Sequence, residues 1–364
     1  MYKTYLTNMN FLKVAFSICT LNYFTTASTV CYTDLLNTTR MNAFDNFVAE
    51  YNKSYASTQE YLYHASVFFD NQDYIEFQNG RNLPYTLGIN QFADMTFTEF
   101  KNYYLGYRGE TQEYVEYRNK HPVPLHTYTI VNTPVDSVDW RAQGLVTPIK
   151  DQAQCGSCWA FSAVATMEGA QARKSGNLTS LSEQDLVDCV VDCYGCGGGW
   201  PFRAIDWVIN GSTPNNTYTN TSGNDTNISM IDTESSYPYL GTDGECLYSV
   251  GGRGANITGL VEIPQGNSAL LQDAVLTIGP ISVAIDAEVD FQLYKSGFFE
   301  TTECSNTELD HAVTVVGFGR TADGRKYYII KNSWGTTWGQ DGYIYYSADI
   351  PNMCGIAEDA CYAV

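Results

Sequence analysis

The chain has 364 residues, with 20 Lys/Arg against 40 Asp/Glu and a formal net charge of −20. Most of the excess follows residue 134, where 28 Asp/Glu face 11 Lys/Arg. Such acidity argues against nucleic acid or an anionic membrane as partner, and suits a protein that stays soluble at low pH. At this length two folding units are expected, and 28 Tyr, 17 Phe and 6 Trp supply a sizeable core.

Residues 1–28 carry Lys3 and Lys13, a short apolar run around Val14 to Phe24, and small residues at Thr26-Ala27-Ser28. This reads as a secretory signal, with Met9 an alternative start; a disordered N-terminus is the bland alternative. The run is too short and too interrupted to span a bilayer, and no other transmembrane segment is expected. Residues 41–100 read as a helical unit. Phe44, Phe47, Val48, Tyr51 and Tyr55 recur at helical spacing. Glu60, His64, Phe68, Asn71, Ile75 and Asn79 follow at offsets of three or four, one stripe of one helix. Residues 101–133 are polar and Tyr-rich, contain Pro122 and Pro124, and read as an extended arm and cleavable linker.

After residue 134 come helical stretches from Cys158, over Leu181–Cys189 and over Pro201–Ile209. Strand candidates follow at Ile281–Ile285, Ala312–Phe318, Tyr327–Ile330 and Tyr343–Tyr346, separated by Gly turns. Between the two halves, residues 210–236 form a long Asn/Thr/Ser-rich insertion. A helical half followed by a β-rich half gives an α+β class.

The densest chemical signal is Gln154-Cys155-Gly156-Ser157-Cys158-Trp159-Ala160-Phe161. It puts a thiol where a turn becomes a helix, against unpaired N–H groups and the positive end of the macrodipole. Both favour the thiolate, which is the nucleophile. The alternative is a CxxC metal pair, with Cys193-Tyr194-Gly195-Cys196 as its second half. A Cys nucleophile needs a base. His311, in Asp310-His311-Ala312, is the one His after residue 134. Asn332, in Lys331-Asn332-Ser333-Trp334-Gly335, offers an amide to hold the imidazole, with Trp334 to shield the bond.

Together these segments resemble the papain family of cysteine peptidases. His311 lies 153 residues and Asn332 174 residues after Cys158. Ser182-Glu183-Gln184-Asp185-Leu186-Val187-Asp188-Cys189 and Cys196-Gly197-Gly198-Gly199 fall between them in the family's order. The resemblance covers residues 41–364. The helix stripe of 60–79 and Gly88-Ile89-Asn90-Gln91-Phe92-Ala93-Asp94 are similar to prosegment motifs of the cathepsin L-like branch, with His64 where Arg is usual. The resemblance implies a two-lobed fold: a helical lobe, a β-barrel-like lobe, and the active-site cleft between them. It implies residues 1–28 as signal peptide, 41–100 as inhibitory prodomain, 101–133 as arm and linker, and 134–364 as peptidase domain. Maturation would fall near Thr133–Val135, and Glu60 and Asp94 are the motif carboxylates that would answer to acid.

By the same resemblance Cys158 is the nucleophile, His311 the acid/base, Asn332 its orienter, and Gln152 the oxyanion donor with the Cys158 N–H. Gly198, Gly199, Trp200, Pro201, Ala284, Leu309, Asp310, Trp334 and Trp338 would line the substrate cleft. Asp359 would floor the S2 pocket, where an apolar sleeve ending in a carboxylate suits Arg as well as apolar side chains. Implied bridges are Cys155–Cys196, Cys189–Cys246 and Cys304–Cys354, and the remaining pair, Cys193 and Cys361, is expected to form a fourth. Ala153 departs from the family's usual Gly, and Gly197 from its usual polar residue. Sequons at Asn177, Asn210, Asn215, Asn220, Asn224, Asn227 and Asn256 are candidate glycosylation sites. The partners implied are protein and peptide substrates, the chain's own prosegment and cystatin-like inhibitors. No cofactor or metal is expected, and the mature form is expected to be a monomer. The rivals are an inactive, glycosylated binding protein on the same scaffold, and a zinc ribbon.

Overall fold

The computed structural model describes residues 37–129, 135–210, 230–247 and 252–364. The signal-like start and the sequons at Asn215, Asn220, Asn224 and Asn227 lie outside the described residues.

Two compact units emerge. The first comprises the chain up to Phe77, together with Ala93–Thr96. Its helices are α1 (Thr38–Glu50) and α2 (Thr58–Asn79, up to Phe77 here). The Asn37 side chain accepts from the N–H groups of Thr39 and Arg40, which caps α1. Phe44 and Phe47 are buried against Phe68, with ring centroids 5.5 and 4.9 Å away. The sequence stripe therefore works to Phe47, but Tyr55 is not on that helix. The chain turns at Asn52 (φ 51°), and Tyr55 stacks on His64 from the loop. Ser57 and Glu60 form a capping box at α2: Ser57 Oγ accepts the Glu60 N–H, and Glu60 Oε2 accepts the Ala56 N–H. Asp94 is buried, where it takes the Lys53 ammonium and the Tyr55 hydroxyl at 2.8 Å each. His64 contacts the Asp94 backbone carbonyl at 2.7 Å, so it ties the same turn to α2 as a ring donor.

The second unit comprises Gln78–Phe92 and Phe97–Val364. Before residue 130 it contains β1 (Tyr85–Leu87), α3 (Phe97–Tyr104) and α4 (Gln112–Lys120). The stretch read as an extended arm thus contains a helix. Thr111 caps it by accepting the Tyr114 N–H, Glu113 sits in the first turn, and Arg118 and Lys120 sit in the last. These are ordinary start and stop signals, hidden by a Tyr-rich composition.

Beyond residue 134 the elements are β2 (Val138–Asp139), α5 (Cys158–Ser175), α6 (Glu183–Cys189), α7 (Pro201–Asn210), β3 (Met230–Asp232), β4 (Arg253–Asn256), β5 (Leu260–Glu262), α8 (Ser268–Thr277), β6 (Ile281–Ile285), α9 (Val289–Gln292), β7 (Tyr294–Phe299), β8 (His311–Arg320), β9 (Lys326–Lys331), β10 (Tyr343–Ser347) and β11 (Ala360–Ala363). The large sheet runs β1-β7-β10-β9-β8-β6-β11-β5, with β2 paired to β8. β3 and β4 form a separate hairpin-like pair, so the end of the 210–236 insertion is strand rather than loop. β6 and β8 are buried along almost their whole length, which explains their continuous apolar runs. α5 is also buried over most of its surface. It is the central helix, packed against β8 and α7.

Disulfides join Cys155–Cys196, Cys189–Cys246 and Cys304–Cys354. The first takes one sulfur from each CxxC, which leaves a zinc ribbon without its ligand set. The expected fourth bridge is absent: Cys193 and Cys361 are both free and buried. Cys361 is held on β11 between β5 and β6, opposite Glu262 and Ser282. The Cys193 sulfur packs instead against Gly199 and the Trp200 carbonyl. Leftover cysteines need not pair, because a buried free Cys packs as a small hydrophobe.

Candidate active site

Cys158 opens α5, and its thiol is fully buried. Two backbone N–H groups point at the sulfur: Gly106 at 3.3 Å and Ala312 at 3.5 Å. Ala312 adjoins His311, so β8 brings the base beside the thiol. His311 Nε2 bonds Asn332 Oδ1 at 2.9 Å, and the Trp334 ring stacks on the imidazole with centroids 4.5 Å apart. His311 Nδ1 is buried without a hydrogen-bond partner. Trp338 is fully buried. Its indole N–H donates to the Phe291 and Gln292 carbonyls, and its ring buttresses Trp334.

Gln152 is clamped at its oxygen by the Ser333 hydroxyl (2.6 Å) and the Trp334 indole (3.1 Å). Its amide N–H groups must then face the cleft, where they donate to the carbonyls of Tyr104 (2.9 Å) and Cys155 (2.8 Å). Two residues upstream, Lys150 is fixed by Glu168 (3.0 Å) and Glu183 (2.7 Å) from α5 and α6. That buried charge cluster anchors the loop carrying Gln152.

Ala153 has φ 50°, the left-handed region that the family's usual Gly would occupy without strain. Replacing Ala153 with Gly is expected to stabilise the protein by about 1 kcal/mol, measured by urea unfolding. A loss of stability would show that the turn is not strained.

The chain crosses the thiol at Gly106. A Cβ there would lie 1.8 Å from the Gly156 carbonyl oxygen, so only Gly allows this approach. The backbone then pairs in parallel with Gly199. The Gly199 N–H donates to the Gly106 carbonyl at 2.9 Å, and the Tyr107 N–H donates to the Asp310 carbonyl at 2.9 Å. Gly199 has its own constraint, since a Cβ would lie 2.7 Å from the Cys193 sulfur. Tyr107 and Tyr114 join Trp200, Ala284 and Leu309 in one buried cluster. Both phenols donate to Asp359, and the Tyr114 ring stacks on Trp200 with centroids 5.0 Å apart. Asp359 is thus buried at the end of an apolar sleeve and does not point to solvent. Lys101 pairs with the Asp310 carboxylate at 2.8 Å, a contact that sequence reasoning missed.

The electrostatics run against the expected ion pair. Burial pushes the Cys158 thiol up to about 11, although the Ala312 and Gly106 N–H groups pull it down. Burial likewise pushes His311 down to about 4, against a smaller opposing effect of Asn332. Desolvation outweighs the helix terminus, and in this covered state the neutral pair is favoured. The thiolate–imidazolium pair expected from the sequence needs solvent or a partner charge that the covered cleft withholds.

The chain is similar to known proteins over most of its length. The profile "Papain family cysteine protease" matches residues 134–364, and "Cathepsin propeptide inhibitor domain (I29)" matches residues 44–100. Digestive cysteine proteinase 1 of Homarus americanus is 42% identical over 88% of this chain and 94% of its own length. Cathepsin L of Sarcophaga peregrina is 40% identical over 86% of this chain and 89% of its own length. The structure of digestive procathepsin L 3 from Tenebrio molitor larval midgut superposes with a TM-score of 0.76 at 34% identity, covering 89% of this chain and 99% of that one. A thiol at the head of a buried helix, a His–Asn pair beside it, and a propeptide-type domain ahead of both place this chain in the papain family of cysteine proteases, as a cathepsin L-like enzyme made with its inhibitory propeptide.

Proposed function

We propose that the chain is the precursor of an endopeptidase that cleaves peptide bonds in proteins through Cys158 and His311. Asn332 orients the imidazole, and Gln152 with the Cys158 N–H stabilises the oxyanion. One observation carries the reading: Cys158 Sγ and the Gln152 amide both meet the same stretch of backbone, Tyr104–Gly106, while the Ala312 N–H beside His311 points at the same sulfur. A substrate carbonyl in place of that backbone would lie against nucleophile and donor together. Oxyanion donors are typically worth about 10²–10³ in rate. Release of residues 101–133 would expose the thiol, lower its pKa towards the scale of about 3–4 known for papain's His-paired cysteine, and pass its proton to His311.

The proposed setting is the secretory pathway, ending in a lysosome-like acidic compartment or outside the cell. The names of the digestive relatives make bulk protein degradation a natural role. Asn177, Asn210 and Asn256 are exposed and remain glycosylation candidates. The test is acid incubation with a thiol, followed by a peptide-library assay with and without a thiol-directed epoxide. Epoxide-insensitive activity, or none, would overturn the proposal.

For specificity, the Asp359 pocket is proposed to take Arg as well as bulky apolar residues at the second position before the scissile bond. The buried carboxylate supports this, as does the Arg118 guanidinium, whose charged form Asp359 stabilises. In Asp359→Ala the Arg-to-Leu ratio of kcat/KM is expected to fall at least about tenfold, the scale of one charge-assisted hydrogen bond. An unchanged ratio refutes the assignment.

Acid release has a concrete candidate. Glu113 on α4 is held below its ordinary value by hydrogen bonds from Arg203 and Tyr194. A depressed carboxylate stabilises the closed form above its free pKa of 4.5, and that contribution is lost as pH falls below it. Precursor carrying Glu113→Gln should therefore show a flatter pH dependence of processing below about pH 4.5. An identical profile places the trigger elsewhere.

A further inference from the structure

The chain that crosses the thiol divides its contacts at Gly106. Residues after it meet Gly199, Trp200 and Asp359. Before it, Phe100, Lys101 and Tyr104 meet Trp334, Asp310 and the Gln152 amide respectively. We infer that Asp286, Glu288 and Asp310 form a cation-selecting subsite of the processed enzyme, which takes a Lys or Arg side chain of the substrate on the leaving-group side of the scissile bond. The inference rests on the reading of residues 134–364 as an active peptidase.

Two observations carry it. The first is a buried carboxylate oxygen that only the cleaved-off arm satisfies. Asp310 is buried, and its Oδ1 accepts the Ala287 N–H at 3.0 Å. Among the described residues, its Oδ2 takes no hydrogen bond from the peptidase part. The partner of Oδ2 is the Lys101 ammonium, 2.8 Å away. Release of the arm strands that oxygen, and a buried anionic oxygen without a partner costs free energy until a cation replaces the lost one.

The second is the charge around it. β6 and β8 are antiparallel, with Ile285 opposite His311, so Asp286 just past β6 and Asp310 just before β8 share one end of the sheet. Asp286 Oδ2 accepts the Ser305 N–H at 2.6 Å, and Glu288 lies two residues further on, before α9. Burial works against the charge on Lys101, yet Asp310, Asp286 and Glu288 together raise its pKa. Burial pushes Asp310 up to about 6, although Lys101 pulls it down. Burial and then Asp286 push Glu288 up to about 7. One cation thus serves three carboxylates, and among the described residues no other Lys or Arg forms an ion pair with any of them.

The order of contacts along the crossing chain gives the side of the bond. The Asp359 pocket is read as taking the second residue before the scissile bond. The contacts of Lys101, on the far side of Gly106 in that order, then fall to residues after the bond. Apolar surface adjoins the carboxylates there. Phe92 and Phe100 meet the Trp334 ring edge-on, with centroids 5.4 and 5.0 Å away, and their departure bares the indole. An indole beside a carboxylate cluster suits a long cationic side chain, whose methylenes pack on the ring while its charged end pairs.

The experiment uses processed enzyme and internally quenched peptides with Leu as the second residue before the bond, the cleavage position being confirmed by mass. The first or the second residue after the bond is varied among Lys, Arg, Gln and Glu. At one of these positions the Lys and Arg peptides should exceed the Gln peptide in kcat/KM at least about tenfold, the scale of a charge-assisted hydrogen bond. That preference should shrink as salt is raised. Glu288→Lys should lower the Lys-to-Gln ratio and raise the Glu-to-Gln ratio several-fold over wild type, a reversal that a structural role would not produce. Ratios cancel any general loss of activity, and the wild-type preference decides alone if the variant does not fold. Equal rates for Lys, Arg and Gln at both positions, or ratios unmoved by Glu288→Lys, overturn the inference, and the carboxylates then serve Lys101 only. Failure to cut any of the peptides overturns the peptidase reading instead.

Discussion

Cys158→Ala is expected to abolish peptide hydrolysis, with kcat falling by about six orders of magnitude, the scale seen when a single member of a nucleophile–base pair is deleted. The fold should survive. The side chain is small and the residue sits at the first position of α5, while twelve other buried residues of that helix hold it in place. The thiol contributes contacts to the Gly106 and Ala312 N–H groups at 3.3 and 3.5 Å, both long and weak compared with an oxygen acceptor. The variant precursor should therefore express, retain its three disulfides and fail to process itself. Fluorogenic turnover of the variant, converted by added wild-type enzyme, is the measurement. Comparable kcat in that material would remove Cys158 from the mechanism.

The second large effect concerns the same thiol before and after processing. In the precursor its pKa is pushed up to about 11, and no charged imidazole is at hand, because His311 is pushed down to about 4. At pH 6 the thiolate fraction in the precursor is then about 10⁻⁵, against nearly full ionisation on the scale of papain's paired cysteine. The lower basicity of a paired thiolate returns about three decades of intrinsic reactivity. The net expectation is alkylation of Cys158 by iodoacetamide at least about 100-fold slower in the precursor, before steric cover by Gly106 is added. The pH profiles should differ in kind. Below a raised pKa the precursor rate climbs tenfold per pH unit, whereas the processed enzyme should be nearly flat between about pH 5 and 8. A flat profile for the precursor would mean that the ion pair already exists under the arm. The same reasoning limits the dyad as an acid sensor. Its opening moves a proton from sulfur to imidazole without net uptake, so the response to acid must come from groups such as Glu113, which change their proton count.

Much of the chemistry was legible because it is local. A Cys after a Gly-Ser turn, an Asp-His-Ala run entering a strand and an Asn-Ser-Trp-Gly turn are short patterns, each fixed by backbone geometry. Their family order supplied the roles. Helices α1, α5 and α7 and strands β6, β8, β9 and β10 follow from local apolar patterns bounded by turn signals. The three disulfides came from resemblance alone, since sequence spacing sets no pairing. Ala153 was marked as a departure from the usual Gly, and its φ of 50° gives that mark its physical cost.

What the sequence could not reveal depends on distant chain segments meeting. Cys193 and Cys361 were paired on paper because both were left over, but both are free and buried, each with different neighbours: Gly199 and the Trp200 carbonyl for one, Glu262 and Ser282 for the other. α4 was missed because Tyr-rich polar sequence resembles a linker until Trp200, Asp359 and Arg203 supply its partners. The protonation state of the covered dyad lay out of reach for the same reason. The sequence displays the helix terminus that lowers a thiol pKa, but the desolvation that raises it exists only once Gly106 lies on the sulfur. Residue types and spacing therefore determined the reaction class, because reacting groups are carried by local motifs. The tertiary structure alone decided whether those groups are charged, covered or paired, because burial sums over parts of the chain that the sequence holds far apart.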